Sequence, residues 1–362
     1  MAIIVTFVFM PKTKTILVAP LHWGLGHATR CIPLINALLQ RGFKVVIASD
    51  GAALALLRKE FPDLTAHELP SYDIRYPKKG SFFSWQLLLK LPRIRKAILV
   101  ENKIVSAWIQ AGDIDGIISD NRPGVRHDKI PSAYITHQLR VLSGFTTSPS
   151  TKMHLAIIKK FTACWVPDIA SEEGFSGTMG HLKNEPFPIH YIGILSRMKP
   201  KVVPKVYDIL CILSGPEPQR SLLEVKLIEE LKNSGKAILL VQGLPLIAQR
   251  SKTIGSITVV PFMTSEALEK AINESKLIIC RSGYTSIMDL AMLQKKVFFI
   301  PTPGQYEQIY LAKRLEQKGI APHCKQDNFT LKQLEKTTSY TGFITPREAP
   351  NFDTLFGLFE GE

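Results

Sequence analysis

Leu277-Ile-Ile-Cys-Arg-Ser-Gly-Tyr-Thr-Ser-Ile-Met-Asp-Leu-Ala291 reads as a buried strand that turns directly into a helix. Leu277 to Cys280 is an apolar run of strand length, and Arg281-Ser282-Gly283 is a turn. Beyond it Ile287, Leu290 and Ala291 recur at helical spacing, with Thr285, Met288 and Asp289 off the apolar face. A strand apolar on both sides belongs inside a parallel sheet covered by helices.

The same unit recurs in both directions. Upstream, strands are predicted at Ile16–Ala19, Phe43–Ile47, Thr65–Leu69, Gly116–Ser119 and Ser132–Thr136. Helices are predicted from about Ala28 or Thr29, at Gly51–Phe61, and from Phe82 to Gln110 with a break at Pro92. The first start follows from Pro33, which suits only a helix's first turn, where its missing N–H costs nothing. The pattern pauses at Ile194–Val206 and restarts with strands at Ile209–Leu213, Ala237–Val241, Ile257–Pro261 and Val297–Ile300. Helices alternate with them at Ser221–Leu231, Ser265–Ile272, Thr285–Leu293 and Glu307–Gln317. The expected fold class is α/β: two doubly wound, Rossmann-like domains facing a cleft, at residues 14–195 and 206–335. In the tail, 336–362, Phe352, Leu355, Phe356 and Phe359 suit one amphipathic helix packing back on the first domain.

Composition agrees. The 362 residues suffice for two cores, and 45% apolar with 21% charged residues excludes disordered and fibrous classes. No apolar run reaches the ~18 residues of a membrane span. Five scattered cysteines without a CxxC pair point away from disulfides and zinc, and towards a reducing cytoplasm. Met1 to Met10 is apolar but precedes its basic residues, the reverse of a secretion signal, so residues 1–9 read as an extension or an early start. The net charge of +14 favours anionic partners. Arg75, Lys78, Lys79, Lys90, Arg93, Arg95, Lys96 and Lys103 crowd one segment around Phe82, Phe83, Trp85 and Leu87 to Leu89. The segment reads either as a solvated helix with a buried apolar face or as a patch that docks on an anionic membrane surface. No helix-turn-helix or aromatic RNA motif marks nucleic acid as one.

Ligands of doubly wound sheets bind beyond the carboxyl ends of the strands. Leu21-His-Trp-Gly-Leu-Gly-His-Ala-Thr-Arg30 follows the first strand and presents Gly24, Gly26, His27, Thr29 and Arg30 at a helix start. Gly24-x-Gly26-x-x-Thr29 with Asp50 imitates a dinucleotide fingerprint but lacks its third glycine; the alternatives are a structural turn and a substrate loop carrying His27. Ser214-Gly-Pro-Glu-Pro-Gln-Arg220 leads into another helix, where Gly215 and Arg220 suit a diphosphate. Asp289 could accept both hydroxyls of a ribose. Gln305, Glu307 and Gln308 follow a further strand, while Asp120 and His137 end strands of the first domain.

These motifs resemble family 28 glycosyltransferases of the GT-B fold, similar to MurG-type enzymes that add N-acetylglucosamine to a lipid-linked acceptor. The resemblance spans roughly 14–335 and is most specific at Arg281-Ser282-Gly283, Asp289 (where the family has Glu), Pro301 and Gln308. It implies that Asp289 holds the ribose, and that Gly215 and Arg281-Ser282-Gly283 border the diphosphate. Glu307 and Gln308 would then face the donor sugar, and the backbone at Phe262-Met263 would read the base. Gly24-Leu-Gly26-His27 would lie on the acceptor side. The resemblance implies an inverting transfer from a UDP-linked sugar, such as UDP-N-acetylglucosamine, to a hydroxyl acceptor of the lipid-linked kind. The nucleotide sugar is a co-substrate, with no cofactor and no metal, and no Asp-x-Asp triplet is expected to hold one. Location would be the cytoplasm or the inner face of the cell membrane. The general base is expected at His27 or at Asp120, which could instead orient a histidine such as His137. A UDP-sugar epimerase and a non-catalytic basic binding protein remain the alternatives.

Overall fold

The computed structural model describes residues 13–72, 83–171, 173–248, 250–344 and 350–360, with the side chains at 83–91 and 145 outside that description. The first sheet has seven parallel strands in the order β3-β2-β1-β4-β5-β6-β7. They are β1 (Thr15–Pro20), β2 (Lys44–Ser49), β3 (Ala66–Glu68), β4 (Gly116–Asp120), β5 (Ser132–Ile135), β6 (Ala163–Val166) and β7 (Ile189–Tyr191). The connecting helices are α1 (Gly26–Gln40), α2 (Gly51–Glu60), α3 (Phe83–Gln110) and α4 (Thr147–Ile158).

The second sheet runs β10-β11-β9-β8-β12-β13, parallel except for the edge hairpin of β10 with β11. Its strands are β8 (Tyr207–Ile212), β9 (Ile238–Val241), β10 (Lys252–Ile254), β11 (Ile257–Val260), β12 (Ser275–Cys280) and β13 (Val297–Phe299). Its helices are α5 (Gln219–Leu231), α6 (Ser265–Asn273), α7 (Tyr284–Met292) and α8 (Tyr306–Gln317). In each sheet the strand order reverses beside the first strand, between β1 and β4 and between β8 and β12. Those are the switch points at which such sheets open a crevice.

Two proline expectations are overturned. α1 begins at Gly26 rather than near Ala28, so Pro33 lies inside it. α3 runs unbroken through Pro92. A proline deletes one helical hydrogen bond, and packing of the rest of the helix can outweigh that loss. Ala28, Cys31, Leu34, Ile35 and Leu38 of α1 are all buried.

The two domains touch through α1 and α7, and one apolar cluster contains residues of both sheets. The final helix, α9 (Phe352–Glu360), lies on the first sheet. Phe356 meets Phe43 edge-on at 6.0 Å between centroids, and Phe359 meets Trp165 at 6.2 Å. Gly116 makes the room: a Cβ there would sit 2.5 Å from the Phe359 ring. Among the described residues no helix is long and apolar enough to cross a membrane.

Candidate active site

The switch point of the first domain brings together four groups that the sequence scatters. Asp120 ends β4 and is fully buried. His27, the second residue of α1, approaches it with Nδ1 2.7 Å from Oδ1. Arg30, one turn further on and buried, clasps the same carboxylate through Nε and Nη2. Its Nη1 donates to His137 Nδ1 at 2.8 Å, at the end of β5. Burial alone would raise the Asp120 carboxyl, but the charges and hydrogen bonds of Arg30 and His27 prevail and hold it at about 2.

These contacts decide the tautomers. Arg30 can only donate, so His137 Nδ1 accepts, and its Nε2–H donates to Glu307 Oε1 at 3.0 Å. Burial, seconded by Arg30 and His27, lowers the His137 imidazole against the pull of Glu307, which keeps the ring neutral. Its faces are also engaged, since Tyr284 stacks at 4.2 Å and 3°. Neither nitrogen of His137 is left to accept a proton. For His27 two partners compete at Nδ1, Asp120 at 2.7 Å and Arg30 Nη2 at 2.9 Å. Arg30 Nη2 already has Asp120 as an acceptor, so the consistent arrangement is His27 Nδ1–H donating to the carboxylate. That leaves the lone pair on His27 Nε2. Asp120, sealed from solvent and fully engaged, cannot itself take a proton from a substrate. The geometry thus pairs it with His27 and not with His137.

At the second switch point the backbone, more than the side chains, faces the cleft. Gly215 (φ +95°) starts the turn before α5, and a Cβ there would meet only Thr302 Oγ1, at 3.7 Å. Arg220 is not free for a diphosphate: it is paired with Glu217 at 2.6 Å and Glu224 at 2.7 Å. Arg281 likewise turns inward. Its buried guanidinium donates to the carbonyls of Gln219 (2.8 Å), Ile300 (3.0 Å) and Pro301 (3.2 Å) and to Gln326 Oε1 (2.7 Å). It therefore fastens the surrounding loops, and burial pulls it down to about 10. Ser282 Oγ donates to the Gln308 carbonyl at 2.8 Å, and Gln308 Oε1 accepts from Thr302 N–H at 2.8 Å. Gln308 thus shapes the Pro301–Gln305 loop rather than offering its amide to a ligand. Glu307 reaches across the cleft to His137 and Gln138. Gly283 caps α7 with open space beside its Cα.

Asp289, which its spacing places off the apolar face of α7, is nevertheless buried, and burial raises its carboxyl while Arg197 and Ser196 pull the other way. Ser196 Oγ of the interdomain linker donates to its Oδ1 at 2.7 Å. A helical face that looks free on α7 is covered by that linker. Phe262 is buried as well, with Lys59 Nζ of α2 lying 5.4 Å from its ring centre, while Met263 is half-buried against the core.

On the acceptor side Gly24 adopts φ +84°, and Thr29 Oγ1 donates back to the Gly26 carbonyl at 3.0 Å. The same carbonyl accepts from Thr285 Oγ1 of α7 at 3.1 Å, joining the glycine loop to the second domain. Sequence reasoning missed Tyr284, Thr285 and the linker pair Ser196-Arg197. Their partners lie in the other domain or the linker, and no local pattern announces them.

Two alternatives meet structural obstacles. Asp50, the would-be ribose ligand of a dinucleotide site, is paired with buried Arg122 at 2.8 Å and with His22 at 3.2 Å. Asp113-Ile114-Asp115 is an Asp-x-Asp triplet, contrary to expectation, but it precedes β4 at the opposite end of the sheet. There Asp115 Oδ2 accepts from Thr15 N–H at 2.9 Å.

Comparison with known proteins agrees with this architecture. Residues 225–341 match the glycosyltransferase family 28 C-terminal domain. An uncharacterized glycosyltransferase of Methanopyrus kandleri is 22% identical over 326 residues, covering 86% of this chain and 90% of its own. Among solved structures, MurG of Acinetobacter baumannii superposes with a TM-score of 0.54 at 17% identity, over 91% of this chain and 92% of that one. The spinosyn rhamnosyltransferase SpnG, complexed with thymidine diphosphate, gives 0.59 at 15% identity, over 91% and 93%. The fold is GT-B.

Proposed function

We propose that this chain, a glycosyltransferase of GT-B fold with a family 28 C-terminal domain, moves a sugar from a nucleoside diphosphate sugar to an acceptor hydroxyl in one inverting displacement. The observation that carries the reading is the His27–Asp120 pair at the mouth of the first domain, opposite the turns that open α5 and α7. His27 Nε2 takes the acceptor's proton as its oxygen attacks the anomeric carbon. The bond to the diphosphate breaks, and the product is inverted because attack and departure occur on opposite faces. Asp120 holds the imidazole in the tautomer that can accept, and stabilises the imidazolium that forms.

The departing diphosphate needs positive potential. Backbone N–H groups at the Gly215 turn and at Gly283, heading α5 and α7, would supply it without a metal, each such preorganised donor being worth roughly 10²–10³ in rate. For the donor, support comes from the thymidine diphosphate bound to SpnG and, for UDP-N-acetylglucosamine, from the resemblance of Arg281-Ser282-Gly283, Asp289, Pro301 and Gln308 to MurG-type enzymes. For a lipid-linked acceptor, support comes from α3. Arg93, Arg95, Lys96 and Lys103 are exposed there beside Leu99 (64% exposed), a basic and apolar surface suited to anionic headgroups. The remainder of the basic segment, Arg75 to Lys90, lies outside the described residues or their side chains.

The test is incubation with UDP-N-acetylglucosamine labelled in the sugar, with and without a membrane extract. Transfer of label into the lipid fraction is the expected result. Label remaining on the nucleotide with every nucleotide sugar offered would refute the donor reading, and label in a water-soluble product would refute the lipid acceptor.

A further inference from the structure

α2 ends in Lys59-Glu60, and both side chains cross from the first domain to the second. Glu60 Oε1 accepts from Ser265 N–H at 2.8 Å and from Ser265 Oγ at 2.7 Å, so a carboxylate of one domain caps helix α6 of the other. Lys59 Nζ lies 5.4 Å from the centre of the Phe262 ring and donates to the Pro245 carbonyl. Arg197 of the linker completes the cluster, donating from Nη1 to Ser265 Oγ at 3.0 Å with Glu60 at 3.8 Å.

We propose that Lys59 and Glu60 form a latch that covers the nucleoside end of the donor site, so that a nucleotide enters only when the tip of α2 releases. This rests on the donor reading above. Two features that the family resemblance gives to the nucleoside, Phe262 and Asp289, and the start of α6 close behind Phe262 are each held by a residue from outside the second domain. The ring of Phe262 carries Lys59, the start of α6 carries Glu60, and Asp289 carries Ser196 of the linker. A base read by the backbone at Phe262-Met263 has to pass the ammonium that lies against the Phe262 ring, and Asp289 cannot serve a ribose until Ser196 yields. The latched arrangement is also imperfect. Arg197 Nε is buried without a partner, a loss that opening of the linker would relieve. When only the open fraction binds, apparent affinity falls in proportion to that fraction. Weakening the latch therefore strengthens binding, the opposite of what deleting a ligand-contacting residue does.

The experiment uses the full chain and the variant Lys59→Gln/Glu60→Gln, with Ser265→Ala as a second disruption from the other side. Small-angle scattering of the free proteins reads the latch without any nucleotide, and calorimetric titration with UDP reads its linkage to the donor. The expected result is a larger radius of gyration and at least tenfold tighter UDP binding in both variants. An unchanged radius together with unchanged or weaker UDP affinity overturns the latch. If neither wild type nor variants bind UDP, thymidine diphosphate or another nucleoside diphosphate, the donor reading fails. In that case the scattering result alone decides whether the contact holds the domains shut.

Discussion

Replacing Asp120 by asparagine is the sharpest test of the His27–Asp120 assignment, because the structure predicts separable losses of stability and rate. The carboxylate is fully buried and receives two bonds from Arg30 and one from His27. Asparagine keeps the shape but removes the charge, leaving the Arg30 guanidinium buried without its counter-ion. Removing one partner of a buried pair costs about 3–5 kcal/mol. The amide also offers one acceptor where two are required. Whichever way it turns, its NH₂ meets either Arg30 or His27 Nδ1. If it meets His27, the proton moves to Nε2 and the imidazole can no longer act as a base. An equivalent tautomer loss in a serine protease triad costs about 10⁴ in turnover. His27→Ala should cost about 10²–10⁴ in turnover but little stability, because Arg30 and Asp120 remain paired. The double variant should be hardly slower than the worse single one, since the two residues act as a unit. The assay is single-turnover transfer at a temperature where urea titration shows each variant folded, beside its UDP affinity. Asp120→Asn turning over within tenfold of wild type while folded would refute the reasoning. So would strictly additive losses in the double variant.

Other consequences can be checked independently. Asp289→Ala should lower stability by about 1–3 kcal/mol as well as UDP affinity, because it removes the acceptor of the Ser196 hydroxyl and a counter-charge of Arg197; an unchanged urea midpoint would contradict that burial. His154 has Nε2 sealed from solvent without a partner, and burial lowers its imidazole to about 4. The unfolded chain therefore binds the extra proton first on acidification. The stability held by the neutral ring is complete above about pH 6.5 and is lost as pH falls towards about 4. His154→Phe should remove that part of the acid sensitivity, and parallel stability–pH curves for the two proteins would refute it. Phe359→Ala should cost about 3–5 kcal/mol by emptying the space between Trp165 and Gly116, and a loss under 1 kcal/mol in urea would show that α9 is not integral to the first domain.

The alternation of strands and helices was legible because buried parallel strands and amphipathic helices carry different periods. The loops that matter follow from position alone, since each stands just after a strand. What sequence could not supply was direction. Arg281 sits in the most family-like motif of the chain, yet its guanidinium turns to carbonyls far away in sequence, at Gln219, Ile300 and Pro301. Asp289 falls off the apolar face of its helical wheel, and the wheel knows nothing of the linker that lies against it. Pro33 and Pro92 misled for a related reason. The rule that proline ends helices weighs one hydrogen bond and omits the tertiary packing that outweighs it. His27, Asp120 and His137 were recognisable as candidates, but which histidine the carboxylate serves depends on Arg30, whose reach is a matter of three dimensions.

The placement of α9 bears on how the molecule is made. The strands of the first sheet leave the ribosome early, yet Phe43, Trp165 and the hollow over Gly116 stay uncovered until Phe356 and Phe359 emerge much later. During that interval the nascent first domain displays an apolar face to chaperones, or to neighbouring chains on the same message. The second domain, whose apolar residues are nearly contiguous in sequence, meets no such delay. Translation in this protein thus begins the first domain early and closes it late, so a chain cut short before α9 leaves the rings of Phe43 and Trp165 without their cover.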